Sequence, residues 1–323
     1  MIGIDVSIII INYKTPELLF SCIKSIYEYS ALFSFEIIVV DNDSQDDSKR
    51  VIKDDFNQVI WVDAGSNLGF GAANNIGIEM SVGEYTLLLN SDTELYENVI
   101  FKSLEFYKEI SKDKNIGLLG CRIEHRNKKL QPSCNYYWAG LKEEFQANPI
   151  AILIRERLLK LKKLRGIDKY AKLGENHEIT WLGFPFAFIK SEIIKENLFD
   201  TNFFMYSEDE ELNYRLSQKG YIPYYYSEAG VFHLIGGSSG DTFKRDRQIF
   251  ASKLLFILKT KGVSYLRTYS FLLKVNIFFD NFLNQKDEVL IKKNKMKLKW
   301  LNRYSKVLFS SKFKVLNTYS DGY

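Results

Sequence analysis

The chain has 323 residues, of which 46% are apolar, and its formal net charge is +4. This apolar content is ample for a large core, enough for one catalytic domain with an appendage. The cysteines are an odd number without metal-ligand spacing, which predicts a reducing cytoplasm. The N-terminal run MIGIDVSIIII lacks a basic leader and no apolar run is long enough for a bilayer, so we expect neither a signal peptide nor a membrane span.

The first hundred residues alternate apolar runs with helical patterns. Helical spacing predicts a helix over 15–29 and a second one capped by Ser44 or Asp46. A third helix is expected to follow the Gly-rich turn in 67–78. Short apolar runs predict buried strands at 6–11, 36–40, 59–62 and 87–89. Strands and helices in alternation predict a parallel, doubly wound α/β sheet.

Polar clusters follow these strands at the points where they end. Asn12 ends the first strand, 41–44 (DNDS) ends the second, and Asn90-Ser91-Asp92 ends the fourth. In open α/β sheets, ligands bind outside the carboxyl ends of the strands, so Asp92 is placed as a site residue. The alternative is an ordinary turn, because Asn, Ser and Asp are common turn residues.

The Gly-rich turn differs from the nucleotide-binding loops of other α/β enzymes. A dinucleotide fingerprint needs G-x-G-x-x-G directly after the first strand. Here the glycines at 69 and 71 follow the third strand, and Asn74 stands where the third glycine belongs. The chain also has no G-x-x-x-x-G-K-[ST] loop. These differences argue against a Rossmann dehydrogenase and against a P-loop enzyme.

Four motifs occur in the order INYKTPE, VVDNDSQDDS, NLGFGAANNIG and LLLNSDTE. This set resembles the nucleotide-sugar-binding half of family-2 glycosyltransferases with the GT-A fold, and the resemblance covers about residues 5–240. It implies that Asn12 and Asp41 contact the base and ribose of a nucleoside-diphosphate sugar. It also implies that Asn67, Gly71 and Asn75 line the diphosphate and the sugar.

The resemblance also implies a divalent metal, Mg²⁺ or Mn²⁺. The family's metal motif is usually Asp-x-Asp, but here Asn90 replaces the first acid and leaves Asp92 as the ligand. The element F-H-x-x-G-x-S around His233 resembles the rhamnosyltransferase-type members, in which the histidine completes the metal site. An imidazole ligand favours Mn²⁺ somewhat. A hydrogen-bonded structural histidine is the alternative for His233.

Four acids, at 208–211, follow the aromatic patch 203–206 and begin a predicted helix that Gly220 ends. A run of acids is usually a solvated face or the negative start of a helix. An aromatic wall, however, can tune a carboxylate towards general-base duty. The segment resembles the family's F-x-x-Y/W-x-E-D motif, which implies Asp209 as the catalytic base, with Glu208 as the second candidate.

The segment 181–200 precedes the acids and predicts a hydrophobic strand at 187–189. The resemblance adds an acceptor platform, in which Trp181 stacks on a sugar and Gly183 lets the backbone approach closely. A strand can have such a platform at its edge, so both interpretations stand together. Pro185 has no evident role in either.

Charge is distributed unevenly along the chain. Residues 241–323 have 18 Lys and Arg against 6 Asp and Glu, a net charge of +12, which leaves −8 for 1–240. This region predicts basic amphipathic helices suited to an anionic membrane surface. The alternative is a helical appendage that packs on the catalytic domain or forms homo-oligomers. A second basic amphipathic helix is predicted at 152–170, inside an insertion near 135–178. No RNA-binding signature is present, so nucleic acid is not expected.

We therefore predict a GT-A domain over 1–240, with a donor half (1–100) and an acceptor and catalytic half (101–240), followed by the helical region 241–323. The expected activity is inverting, metal-dependent transfer of L-rhamnose from dTDP-L-rhamnose to a hydroxyl of a lipid-linked or growing bacterial surface polysaccharide. The expected location is the inner face of the cell membrane. Alternatives are galactofuranose or a UDP-hexose as donor, or a non-catalytic sugar-binding or scaffold protein, which Asn90 favours. A nucleotidyltransferase is not expected, because no Gly-rich loop follows the first strand.

Overall fold

A computed structural model describes residues 3–152, 171–234, 242–309 and 315–319. Helices surround one large sheet, and a helical region follows it. The described strands are β1 Val6–Asn12, β2 Phe35–Asp41, β3 Ile60–Asp63, β4 Tyr85–Asn90, β5 Thr93–Leu95, β6 Ile116–Glu124, β7 Leu130–Gln131, β8 Cys134–Asn135, β9 His177–Glu178, β10 Trp181–Leu182, β11 Phe186–Lys190 and β12 Ile222–His233. The described helices are α1 Pro16–Tyr29, α2 Ser48–Asp55, α3 Phe70–Met80, α4 Val99–Ile110, α5 Leu141–Gln146, α6 Ser191–Lys195, α7 Glu208–Gln218, α8 Thr242–Leu283 and α9 Glu288–Phe309, with a 3₁₀ turn at Ala171–Gly174.

The main sheet has the order β3-β2-β1-β4-β11-β6-β12-β5. Its first four strands are parallel, which confirms the predicted doubly wound half. β11 then runs antiparallel between β4 and β6, and β12 returns parallel to β6. The donor and catalytic halves therefore share one sheet, and the strand expected at 187–189 lies at its centre.

Side chains alternate between two cores on the two faces of the sheet, as a pleated strand requires. On β1, Ile8 and Ile10 join a cluster that includes Leu19 of α1. Ile9 points to the other face and joins a cluster that includes Ile78 of α3 and Leu212 of α7. Because both faces are covered, the strands are apolar throughout rather than alternating.

The C-terminal region is helical, as predicted, and much of it is packed. α8 is bent at Gly262, where φ is +85°, a conformation that favours glycine. Residues 251–257 of α8 form a third core with Phe203 and with Leu301 of α9. The alternative of a packed helical appendage is therefore correct for this half of α8.

Two predictions concern parts of the chain outside this description. The basic helix expected at 152–170 lies, from residue 153, outside the described residues, as does part of the insertion near 135–178. Within the described ranges, no helix is both long and apolar enough to cross a membrane.

Candidate active site

The ends of β1 and β2 lie side by side, with Asn12 opposite Asp41. Asn12 is fully buried, and its Nδ2 donates to Asp41 Oδ1 at 2.8 Å and to Ser44 Oγ at 3.0 Å. Thr15 Oγ1 donates to Asn12 Oδ1 at 3.1 Å, so the amide is fully used inside the protein. The structure therefore gives Asn12 the role of orienting Asp41, whereas Asp41 is only half-buried.

A cavity of about 260 Å³ opens beside Asp41, at the ends of β2 and β3. Asp63 and Trp61 line it, and Trp61 Nε1 donates to Asp63 Oδ1 at 2.8 Å. Lys49 forms an ion pair with Asp63 at 2.6 Å. Sequence reasoning missed Trp61 and Asp63. The segment 61–67 (WVDAGSN) nevertheless changes from apolar strand residues to polar residues, as the other strand ends do.

Asn67 in the Gly-rich turn is held by its neighbours. Asn42 Nδ2 donates to Asn67 Oδ1 at 3.1 Å, and Leu68 N donates back to Asn42 Oδ1 at 2.8 Å. Gly69 N also donates to Asn67 Oδ1, at 3.1 Å. Side chains at the end of β2 thus fix the turn that opens α3.

Gly69 joins this turn to the loop that precedes the acids. Its φ is +86°, and a Cβ at this position would lie 1.9 Å from the carbonyl oxygen of Phe204. Phe70 N donates to that oxygen at 2.9 Å. Only glycine permits this contact, both because of its backbone conformation and because of the space available. The Gly-rich turn 67–71, which we call the donor turn, and the loop 203–207, which we call the catalytic loop, are therefore joined directly.

The structure places Gly71 and Asn75 against Phe199 rather than in an open cleft. A Cβ on Gly71 would lie 3.0 Å from Phe199 Cβ. Asn75 Nδ2 donates to Phe199 O at 2.9 Å, and Phe199 N donates to Asn75 Oδ1 at 2.8 Å. Both residues hold α3 to the segment before the catalytic loop, and the lining of the diphosphate and the sugar by them stays a prediction.

Asp92 and His233 meet at the other end of the strand edge. His233 Nε2 lies 3.2 Å from Asp92 Oδ1. Gln131 Nε2 donates to the His233 carbonyl oxygen at 2.6 Å, which turns Gln131 Oε1 towards His233 Nδ1, 3.0 Å away. Because that oxygen only accepts, His233 Nδ1 carries a hydrogen. If Nε2 then has a lone pair, it faces a carboxylate, and this arrangement is favourable only with a cation or a proton between them.

Asp92 and His233 thus suit one side of a divalent cation site. Within the described ranges, no group of three or more His, Cys, Asp or Glu side chains could hold a metal. Asn90 stays beside the site through its backbone, because Asn90 N donates to Pro185 O at 3.2 Å. This contact also gives Pro185 a role, since its carbonyl oxygen joins the end of β4 to the acceptor segment.

The four acids are not a solvated face. α7 begins at Glu208, as predicted, but Glu208, Glu210 and Glu211 are all buried. Glu211 pairs with Arg215 at 2.6 Å, and Glu210 Oε1 accepts from Ala139 N at 2.5 Å. The interpretation as a solvated face is wrong because neighbouring segments cover the start of the helix.

Asp209 is the half-buried member of this run. Burial raises its pKa to about 6. Burial and the neighbouring Asp209 charge raise the pKa of Glu208 well above its usual value. Glu210 N donates to Asp209 Oδ1 at 2.8 Å. The other carboxylate oxygen, Oδ2, is the one that lies near Gly183. A Cβ on Gly183 would lie 3.8 Å from that oxygen.

Asn213, which sequence reasoning missed, holds Asp209 next to the acceptor segment. It is fully buried on α7, and its Nδ2 donates to the carbonyl oxygens of Leu182 at 3.0 Å and Asp209 at 2.8 Å. Its Oδ1 accepts from Leu182 N at 3.1 Å. Trp181, one residue earlier, is half-buried and donates its Nε1 hydrogen to Tyr137 O at 3.0 Å. The structure therefore brings Gly183 and Asp209 together, and Trp181 lies two residues before Gly183.

The C-terminal segment 315–319 runs beside the catalytic loop 203–207. Leu316 pairs with Phe203, and Leu316 N donates to Asn202 O at 2.8 Å. Gln248 of α8 is fully buried, donates to Leu316 O at 2.8 Å and accepts from Thr318 N at 2.7 Å.

Ser252 of α8 holds the same loop directly, because its Oγ donates to Met205 O at 2.7 Å. The next two residues, Tyr206 and Ser207, have φ of +66° and +63°, although neither is glycine. Such a conformation is strained and persists only where the surroundings enforce it. The C-terminal region therefore helps to keep the start of α7 in place.

The sequence model of the family described as glycosyl transferase family 2 matches residues 7–194. The chain belongs to glycosyl transferase family 2. The match spans the strand edge, the Gly-rich turn, Asp92 and Trp181, and it ends before Asp209. The predicted family is thus confirmed for more than half of the chain, whereas the rhamnosyltransferase type is not shown.

Several known proteins resemble this family-2 chain. The low-salt glycan biosynthesis hexosyltransferase Agl10 of Haloferax volcanii is 33% identical over 126 residues, which are 38% of each chain. A poly(ribitol-phosphate) beta-glucosyltransferase of Bacillus spizizenii is 29% identical over 119 residues, or 35% of this chain and 19% of that protein. These matches therefore span well under half the length of the curated relatives.

The fold agrees with a solved structure. S. aureus TarS 1-349 in complex with UDP-GlcNAc superposes with a TM-score of 0.55 at 13% identity, covering 93% of this chain and 80% of that one. This likeness confirms the predicted GT-A-like architecture, a mostly parallel sheet with helices. At this identity it establishes the fold alone.

Proposed function

We propose that the protein transfers a sugar from a nucleoside diphosphate to an acceptor hydroxyl, with Asp209 as the general base. The observation that supports this most directly is the join at Gly69, which connects the predicted donor turn to the loop before Asp209. The acceptor hydroxyl must lose its proton while its oxygen attacks the anomeric carbon. A single displacement of this kind inverts the anomeric centre, and it needs one base and no protein nucleophile.

The raised pKa values separate the two candidate bases. With a pKa of about 6, Asp209 is mostly ionised at neutral pH and can accept a proton. Glu208 is only 5% exposed, and its burial and the neighbouring Asp209 charge raise its pKa well above the usual value, which favours its protonated form. A protonated carboxyl cannot act as base. This difference supports the choice of Asp209 as the base over Glu208.

Asp92 and His233 would hold Mg²⁺ or Mn²⁺ together with the diphosphate of the donor. A hard cation often uses one or two protein carboxylates and takes its other ligands from phosphates and water, so two protein ligands suffice. When bound, the metal would stabilise the negative charge of the departing diphosphate. Gln131 supports this assignment, because its amide oxygen accepts from His233 Nδ1 and thereby orients Nε2 towards Asp92.

Asp41, Asp63 and Trp61 would take the nucleoside at the cavity beside β2 and β3. Carboxylates there can accept hydrogen bonds from base N–H groups or ribose hydroxyls. Trp181 and Gly183 would form the acceptor side next to Asp209.

We propose dTDP-L-rhamnose as the first donor to test and a lipid-linked or growing surface polysaccharide as the acceptor. Rhamnose rests on two resemblances to the rhamnosyltransferase-type members, the F-H-x-x-G-x-S element and the segment 181–190. A UDP-hexose is the second candidate, because both curated relatives are named for hexose or glucose transfer. A role in glycan synthesis is supported by the same two names. Galactofuranose transfer remains a further alternative for the donor panel.

Calorimetric titration with a panel of nucleotide sugars, in Mn²⁺ and in EDTA, tests the proposal. We expect one donor to bind in Mn²⁺ and to bind at least tenfold more weakly in EDTA. Asp92→Asn and His233→Ala should each remove this metal dependence. His177→Ala is the matched control, since His177 lies on β9 and bonds Tyr136 and Glu175 instead.

The titration also has outcomes that contradict the proposal. Metal-dependent binding that survives both substitutions would remove Asp92 and His233 from the metal site. Binding of a UDP-sugar alone would keep the reaction and replace rhamnose. If well-folded protein binds no donor, the scaffold interpretation becomes the better one.

A further inference from the structure

The second half of α8 exposes an aromatic stripe. Phe271, Phe278 and Phe282 are 68%, 64% and 60% exposed. At about 100° per residue, these positions fall within roughly 40° of one another around the helix. The rings of Phe278 and Phe282 stack at 6.5 Å. Large apolar residues exposed singly are ordinary, but a contiguous row of them marks an interaction surface.

The opposite side of the same helix is firmly packed. Leu266, Tyr269, Leu273 and Ile277 are buried in the third core. Asn276 Nδ2 donates to the carbonyl oxygen of Glu144 at 2.8 Å, and this hydrogen bond joins α8 to α5. The aromatic stripe is therefore the outer surface of a fixed helix.

Positive charge borders the stripe. Arg267 and Lys274 are exposed, and their spacing places them within about 60° of Phe271 on one side. Asp280 falls on the opposite side of the helix. α9, which packs on α8, exposes further basic residues: Lys292, Lys293, Lys295 and Lys299. The acids near the stripe, Asp287 and Glu288, lie in and after the turn between the helices.

We infer that this face, formed by Phe271, Phe278, Phe282, Arg267 and Lys274, docks on a membrane with anionic headgroups. An amphipathic helix with aromatic residues on one face and Lys or Arg beside them lies in the interfacial plane of a bilayer. Basic residues near the surface add attraction to anionic lipid. A second copy of the chain fits less well, because stacking two such faces would bring like charges together.

Deletion of the whole C-terminal region cannot test this surface, because Gln248 and Ser252 hold the catalytic loop. Point variants avoid the problem, since the stripe is exposed. The double variant Phe278→Ser/Phe282→Ser removes the apolar contact, and Arg267→Glu/Lys274→Glu reverses the charge. Val82→Ser is the matched control, because Val82 is 68% exposed but lies between α3 and β4.

Vesicle flotation of the full chain measures the docking. We expect the wild type and Val82→Ser to float with phosphatidylcholine vesicles that contain about 30% phosphatidylglycerol, and not with phosphatidylcholine alone. Both double variants should reduce the bound fraction about tenfold, with an unchanged melting temperature. Lipid binding does not depend on the proposed transfer reaction, so donor binding should stay unchanged in both.

Three results would overturn the inference. The first is a wild type that does not float with anionic vesicles. The second is a pair of double variants that float as the wild type does. The third is a sedimentation equilibrium in which the phenylalanine variant dissociates a dimer while vesicle binding is absent, because the face would then be an interface between copies.

Discussion

The strand edge and the catalytic loop are built in different ways. At the edge, Asn12, Asp41 and Ser44 come from two consecutive strands and bond one another directly. The catalytic loop, in contrast, is bonded to segments that lie far from it in the sequence. It is held by Gly69 and Phe70 from the donor turn, by Gln248 and Ser252 from α8, and by 315–318 from the C-terminal segment.

This difference separates binding from chemistry. The edge that would bind the nucleoside is local in the chain, so it forms from the α/β half alone. The loop that positions Asp209 needs segments from both ends of the protein, because two of its residues have a strained backbone. Substitutions of the C-terminal residues that hold this loop, Gln248 and Ser252, should therefore reduce turnover without changing donor affinity, although they lie about 40 residues from Asp209 in the sequence.

The largest expected effect comes from Asp209→Asn, which removes the proposed base and leaves the structures of the strand edge and the catalytic loop unchanged. We expect turnover to fall by about 10²- to 10⁴-fold, because a general base contributes that much. Donor affinity should stay unchanged. In the wild type, turnover should rise with pH through about 6, where Asp209 ionises. Steady-state kinetics and donor titration check both statements, and a variant that keeps full turnover would assign the base to another group.

The next largest effect is expected from Gly69→Ala, which breaks the join between the two regions. The added Cβ would lie 1.9 Å from Phe204 O, so the turn and the loop must separate. Turnover and donor affinity should both fall, and the melting temperature should drop. Gly262→Ala is the matched control, because Gly262 also has a positive φ, +85°, but nothing lies within 4 Å of its Cβ position. Equal losses of turnover, donor affinity and melting temperature in the two variants would mean that backbone strain alone causes them, and not the contact with Phe204.

A smaller effect is expected from Gln248→Leu, which loosens the loop from the C-terminal side only. The substitution leaves Leu316 O and Thr318 N without their buried partner. We expect turnover to fall by about tenfold to 10²-fold through misplacement of α7, with donor affinity kept. Gln218→Leu, at an exposed position on α7, should change neither. Loss of donor affinity in Gln248→Leu would show that the edge also depends on the C-terminal region.

The same difference decides what sequence could predict. The strand edge was predictable because the sequence changes locally from apolar to polar residues at each strand end, as at 40–42. The burial of the acids at 208–211 was not predictable, because the residues that cover them are distant in the sequence. Ala139, whose N–H bonds Glu210, lies 71 residues before it. Gln248 had no signal at all, since a lone glutamine on a helix is ordinarily solvated. The bonds between Asn75 and Phe199 also had no local signal, because these two residues lie 124 positions apart in the sequence.

The smallest effect on turnover is expected from Glu210→Gln, which changes stability in a pH-dependent way. Burial raises the pKa of Glu210 from 4.5 to about 8. Between these values the folded protein keeps a proton that the unfolded chain releases, so this group's contribution to stability falls as pH rises. Glutamine cannot ionise, and its Oε1 can still accept from Ala139 N.

Wild type and Glu210→Gln should therefore melt together near pH 4.5, and the variant should melt several degrees higher at pH 8. Turnover should change little, because Glu210 faces Ala139 while Asp209 Oδ2 faces Gly183. Thermal melts of both proteins from pH 4.5 to 8 measure the difference. A gap between the two melting curves that does not widen with pH would mean that Glu210 is ionised in the folded protein. The start of α7 would then be more open to water than its buried carboxylates indicate.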